Sequence, residues 1–176
     1  MTCRVTTLAR LIAWDEAALV RLHRWQRPAM VKVLRAVTHL GDGASLTFLG
    51  LVLLAAGSPE TLRLGALLGW STALAAALAQ VLKRWLRRKR PNAGIAGFSA
   101  LVANPDAFSF PSGHTAATVA LAVAWAGQGH WLGALAAGFA ALVGFSRVSL
   151  GAHYPLDVMC GAVLGLLSGV AARVIA

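Results

Sequence analysis

The sequence predicts an all-α fold: a polytopic membrane helix bundle of about five transmembrane helices, preceded by N-terminal interfacial amphipathic helices. Two observations carry that expectation. The chain is 58% apolar and only 12% charged, with a mean hydropathy of +0.69, whereas a soluble domain is roughly 45–50% apolar and about 25% charged. The apolar residues are also gathered into five runs separated by turn signals or by clusters of charge. With 176 residues the default is one domain, so 1–176 is expected to form a single membrane unit, with interfacial helices over 1–43.

Residues 4–35 form the amphipathic part. Leu8, Leu11, Ile12, Ala18, Leu19 and Leu22 recur at helical spacing, with Arg10, Arg21, Arg24, Lys32 and Arg35 between them. Asp15 and Glu16 interrupt the middle, and a charge at mid-bilayer costs roughly 2.5–3.5 kcal/mol. The stretch is therefore expected to lie in the interface, with Trp14 and Trp25 at headgroup depth. No cleavable signal peptide is expected, because no clean apolar core opens the chain. Residues 44–57 form a short apolar run that needs 38–43 to help it cross. Residues 61–82 suffice alone at about 20 residues per span. Residues 112–127, 130–146 and 155–175 complete the set. Gly57-Ser58-Pro59-Glu60 and Gly127-Gln128-Gly129 read as tight turns. Small residues recur every fourth place at Gly161, Gly165 and Gly169, and again at Gly133, Ala137 and Ala141; such rows let helices approach closely in lipid. Cys3 and Cys160 fit neither a disulfide framework nor a metal motif.

One long connection separates the second and third runs. It opens on six basic residues in the eight positions 83–90, and its remainder, 92–110, is expected to form a lid or re-entrant flap. With alternating crossings, 83–91, 111–114, 146–147 and 153–157 all fall on one face of the membrane. The chemistry that gathers there is phosphate chemistry. Pro111-Ser112-Gly113 at a helix start offers backbone N–H groups and a helix dipole to an anion. Lys83, Arg90 and Arg147 can surround phosphate oxygens. His153, one helical turn from Asp157, can attack phosphorus, and His114 can protonate the leaving oxygen and then activate water. The acids number only six, too few and too scattered for a two-metal hydrolase, so no metal or cofactor is expected.

The pattern Lys83, six residues, Arg90-Pro91; Pro111-Ser112-Gly113-His114; Ser146-Arg147, five residues, His153, three residues, Asp157 resembles the type 2 phosphatidic acid phosphatase (PAP2) superfamily. That superfamily includes bacterial lipid phosphatases and vanadium haloperoxidases. Three motifs in order, over 83–157, make a specific signal. The resemblance implies Lys83, Arg90, Ser112, Gly113 and Arg147 as phosphate ligands, His114 as general acid and base, His153 as nucleophile through a phosphohistidine, and Asp157 as its orienting partner. Arg84, Arg87, Arg88 and Lys89 are expected to anchor to headgroups, and His23, His39 and His130 to be interfacial or structural. Membrane members commonly have six spans; residues 1–35 are too charged to cross here, which leaves five.

The expected activity is hydrolysis of a lipid phosphate: phosphatidylglycerol phosphate, phosphatidic acid, or a polyprenyl phosphate or diphosphate. Two other readings are a vanadate-dependent peroxidase and a non-catalytic lipid phosphate-binding or transport protein. A net charge of +10 favours anionic partners, and in a membrane protein these are lipids and lipid phosphates, not nucleic acid. Of sixteen Lys and Arg residues, all but Arg63 and Arg173 fall on the active-site face of the five-span arrangement. The positive-inside rule then turns that face to the cytoplasm of a bacterial membrane. The small-residue rows leave the oligomeric state open.

Overall fold

The computed structural model describes residues 2–24, 26–104 and 106–175. Trp25 and the side chains of Cys3, Arg4, Leu8 and His130 lie outside the described residues. Eight helices form among those described: α1 Thr2–Arg24, α2 Pro28–Leu40, α3 Gly43–Ala56, α4 Pro59–Leu86, α5 Pro91–Gly94, α6 Gly113–Trp125, α7 His130–Ser149 and α8 Pro155–Ile175. The only extended pairing among described residues is one bridge between Lys89 and Phe108.

The helix ends follow from local chemistry. Pro28 and Pro59 stand in the first turns of α2 and α4, where a missing N–H costs nothing. Asp42 caps α3 by accepting from Ser45 N at 2.8 Å. Ser58 and Thr61 form a reciprocal capping box at the start of α4, and Gly57 supplies the left-handed residue, at φ 72°, that closes α3 just before it.

Large apolar side chains point outward along α3, α4, α7 and α8; Phe48 is 70% exposed and Val174 82%. A soluble bundle would hide them; a bilayer solvates them. Among the described residues three helices are long and apolar enough to cross alone: α4, the Trp131–Ser149 part of α7, and α8. A fourth crossing arises if α2 and α3, bent by 53° at their junction, act as one span. So α2, expected in the interface, packs on α7 and runs into α3. The expected crossing over 112–127 becomes α6, only 13 residues. That is about 20 Å at 1.5 Å per residue, short of the roughly 30 Å hydrocarbon core. It still runs from the site end of the bundle to Trp125, whose Nε1 donates at 3.2 Å to the Leu64 carbonyl near the opposite end of α4; it is the central post, packed against α4, α7 and α8, and those helices shield it from lipid.

The glycine row of α8 makes that packing possible. A Cβ on Gly161 would lie 2.6 Å from the Ser112 carbonyl oxygen, and one on Gly169 2.6 Å from that of Ala120. Gly165 faces the Ala116 carbonyl between them. The row thus brings two backbones of one chain together. The second row differs: Gly133 abuts the Ala126 backbone, but Ala137 and Ala141 line an apolar groove between α6 and α7.

Candidate active site

The C-terminal end of α4, the N-terminal ends of α6 and α8 and the C-terminal end of α7 meet on one side of the bundle. Lys83 occupies the last turn of α4 and is buried. The chain then turns through Arg87, a non-glycine residue at φ 46°, and presents Arg90 in extended backbone just before α5. Arg90 is 4% exposed. Its Nη1 donates to the Ala152 carbonyl at 2.8 Å and lies 3.3 Å from His153 Nε2. Guanidinium cannot accept a hydrogen bond, so Nε2 must present its lone pair and the imidazole proton sits on Nδ1.

His153 is 1% exposed, in the loop between α7 and α8. That loop turns at Gly151, at φ 75°, where a Cβ would meet the Phe98 ring at 2.7 Å. Burial, then the positive charges of Arg147, Arg90 and Lys83, push the His153 pKa well below 6.5. The ring is therefore neutral at pH 7, the state in which an imidazole can act as a nucleophile. Nδ1 lies 3.6 Å from Asp157 Oδ2 and makes no close hydrogen bond among the described residues. The expected His–Asp bond is thus a close charge contact, not a formed hydrogen bond. The carboxylate is already engaged: Oδ1 accepts from Arg88 Nη1 at 2.8 Å and Oδ2 from Tyr154 N at 2.9 Å.

Arg88 belongs to this arrangement and is not a headgroup anchor. Its Nη2 donates to Asp15 Oδ2 at 2.6 Å, and its guanidinium lies 4.0 Å above the Tyr154 ring centroid. Asp15 Oδ1 in turn accepts from Leu156 N in the first turn of α8, at 2.8 Å. The carboxylate that interrupts the amphipathic pattern is fully buried, where it ties α1 to the start of α8. An acid within the apolar-periodic stretch of a chain with only six acids was the available signal.

Arg147, in the last turn of α7, is 2% exposed. Nη1 donates to Thr38 Oγ1 at 3.0 Å and Nη2 to Asn104 Oδ1 at 2.8 Å, while Nε is buried without a partner among the described residues. With His114, Thr38, His39, Asp42 and Asn104 it lines a cavity of about 330 Å³. Ser112 caps α6: its Oγ lies 3.0 Å from Thr115 Oγ1 and accepts from Thr115 N at 3.5 Å. Its own N–H is committed to the Asp157 carbonyl at 3.0 Å, so that N–H is not the free anion donor expected from the helix start. Gly113 does face the site; a Cβ there would sit 4.0 Å from Lys83 Nζ.

His23 Nδ1 lies 3.1 Å from the Ser149 carbonyl, and His39 Nδ1 3.1 Å from Asp42 Oδ2. Among its described residues, the connection over 95–112 folds back as a flap without a helix. Ser109 N donates to the Arg88 carbonyl at 2.9 Å, and Leu101 N to that of Leu150 at 2.8 Å. From this flap Asp106 reaches Lys83 Nζ at 2.5 Å and the Arg90 guanidinium, while its carbonyl accepts from Arg90 Nε at 2.8 Å. Burial alone would raise the Asp106 pKa, but its bonds to Lys83 and Arg90 outweigh that and hold it below 3.8.

A family model described as the PAP2 superfamily matches residues 64–176. A decaprenylphosphoryl-5-phosphoribose phosphatase of Mycobacterium tuberculosis is 34% identical over 145 residues, covering 81% of this chain and 78% of that protein. Phosphatidylglycerophosphatase B of Bacillus subtilis is 35% identical over 166 residues, covering 87% and 78%. In structure, the chain resembles the transmembrane PAP2 type phosphatidylglycerolphosphate phosphatase from Bacillus subtilis with a TM-score of 0.82 at 28% identity, over 94% of this chain and 86% of that one.

Proposed function

The chain belongs to the PAP2 superfamily and is a lipid phosphate phosphatase, and we propose that it works without a metal, through a phosphohistidine on His153. The observation that carries this reading is the burial of Lys83, Arg90, Arg147 and a neutral His153 at one rim of the bundle. Three cations are taken out of water there against one carboxylate, that of Asp106, which is costly, and a dianionic phosphate is the ligand that offsets the excess.

In the proposed sequence the substrate phosphoryl group lies against Lys83, Arg90, Arg147 and the start of α6 at Ser112 and Gly113. His153 Nε2 attacks phosphorus as the bond to the lipid oxygen breaks. His114 gives that oxygen its proton, so the lipid leaves as an alcohol, or as a monophosphate if the substrate is a diphosphate. As the ring of His153 gains positive charge, Asp157 at 3.6 Å stabilises it and can close to a hydrogen bond. His114, now a base, takes a proton from water. The water oxygen attacks phosphorus, the N–P bond breaks and orthophosphate is released. The cations stabilise charge on the equatorial oxygens in both steps.

The proposed substrates are phosphatidylglycerol phosphate, phosphatidic acid or a polyprenyl phosphate or diphosphate. The distribution of Lys and Arg supports a cytoplasm-facing site. The test is phosphate release from purified lipid phosphates with EDTA present. The wild type is expected to hydrolyse at least one at an undiminished rate, and His153→Ala to lose on the order of 10³-fold or more. Activity that disappears with EDTA, or persists in His153→Ala, refutes the mechanism.

A further inference from the structure

We propose that Asp106 is a built-in competitor for the phosphate site: its carboxylate holds Lys83 and Arg90 in the resting enzyme, yields to substrate phosphate, and returns to help expel the product. The proposal rests on the reading of Lys83 and Arg90 as phosphate ligands. Asp106 Oδ2 lies 2.5 Å from Lys83 Nζ, and Oδ1 is bonded to Arg90 Nη2. Two oxygens of one anion thus take donors from both cations, as two phosphoryl oxygens would. Two residues earlier, the Asn104 side-chain Oδ1 accepts from Arg147 Nη2 at 2.8 Å. The flap therefore sets oxygen acceptors on all three cations.

The two sides of this contact are not equally fixed. Lys83 and Arg90 side chains are 7% and 5% exposed and sit beside helix ends. The Asp106 side chain is 29% exposed, in backbone without regular structure, and borders a polar cavity of about 580 Å³. The anion can withdraw to water; the cations cannot. A phosphate dianion offers one more charge than the carboxylate and a third oxygen, and Arg147 Nε is a buried donor without a partner among the described residues. Substrate phosphate can therefore displace the carboxylate, at the cost of weaker apparent binding. The same competition opposes retention of orthophosphate after turnover.

The test uses the purified full chain in detergent and orthophosphate as probe, with binding read by calorimetry and by product inhibition. Asp106→Asn and Asp106→Ala are each expected to bind orthophosphate at least tenfold more tightly than wild type, about 1.4 kcal/mol. Unchanged or weaker binding in the folded variants overturns the proposal and makes Asp106 a fixed strut that orients the cations. A second measurement needs no variant: orthophosphate should speed amide exchange over 106–109 in the wild type, and slower or unchanged exchange overturns the proposal. If none of the proteins binds orthophosphate, the reading of Lys83 and Arg90 as phosphate ligands fails first.

Discussion

Arg88 serves two carboxylates that are both fully buried, Asp15 and Asp157. Removing one partner of a buried ion pair leaves an uncompensated charge, at about 3–5 kcal/mol. Arg88→Ala is therefore expected to lower the thermal unfolding midpoint in detergent and to depress kcat, because Asp157 loses the donor that fixes it beside His153. Arg88→Lys should restore only part of either, since one ammonium cannot replace a planar fork reaching two carboxylates. An unchanged midpoint and rate in Arg88→Ala would return this residue to the headgroup-anchoring role that its basic neighbourhood suggests. Motif spacing placed Lys83, Arg90, His114, Arg147, His153 and Asp157 in one group because each motif is short. It could not find Asp15, Thr38, Asn104 or Asp106. The Asp15 contact to Leu156 spans 141 positions and the Thr38 contact to Arg147 109, so no local pattern links either pair.

At the scale of elements, the decisive contact is between α6 and α8. Lipid tails are as apolar as leucine, so close packing has to supply the helix association. Gly165 meets the Ala116 carbonyl and lies where a Cβ would be 3.0 Å from Ala120 N. Both are backbone atoms of a central helix and cannot swing aside. Gly165→Ala is expected to destabilise the protein by about 1–3 kcal/mol, the usual scale of overpacking. Gly138→Ala, on an open face of α7 with nothing within 4 Å, should be neutral or stabilising. Denaturation of the two variants side by side in detergent checks this; equal stability would mean that the row does not set the approach of the helices. Such a shift would also move Ser112 and Asp157, which join these two helices at their site-facing ends through a 3.0 Å hydrogen bond.

For the molecule as a whole, the placement of charge predicts orientation. Arg63 and Arg173 stand apart from the other Lys and Arg residues, at the ends of α4 and α8 remote from the site. A topology reporter fused after residue 176 is expected to signal an extracytoplasmic C-terminus, and a cytoplasmic signal would place the active site outside. The sequence by itself determined the helical membrane class, because apolar runs cannot be solvated otherwise. It also determined which cations and histidines gather, because alternating crossings return the chain to the same face. The tertiary structure decided the rest: that α6 is a short post shielded by other helices, that α2 bends into α3, that Asp157 answers to Arg88 before His153, and that a flap carboxylate rests on Lys83 and Arg90. Each of these depends on which side chains meet across distant segments, and periodicity along the chain carries no information about that.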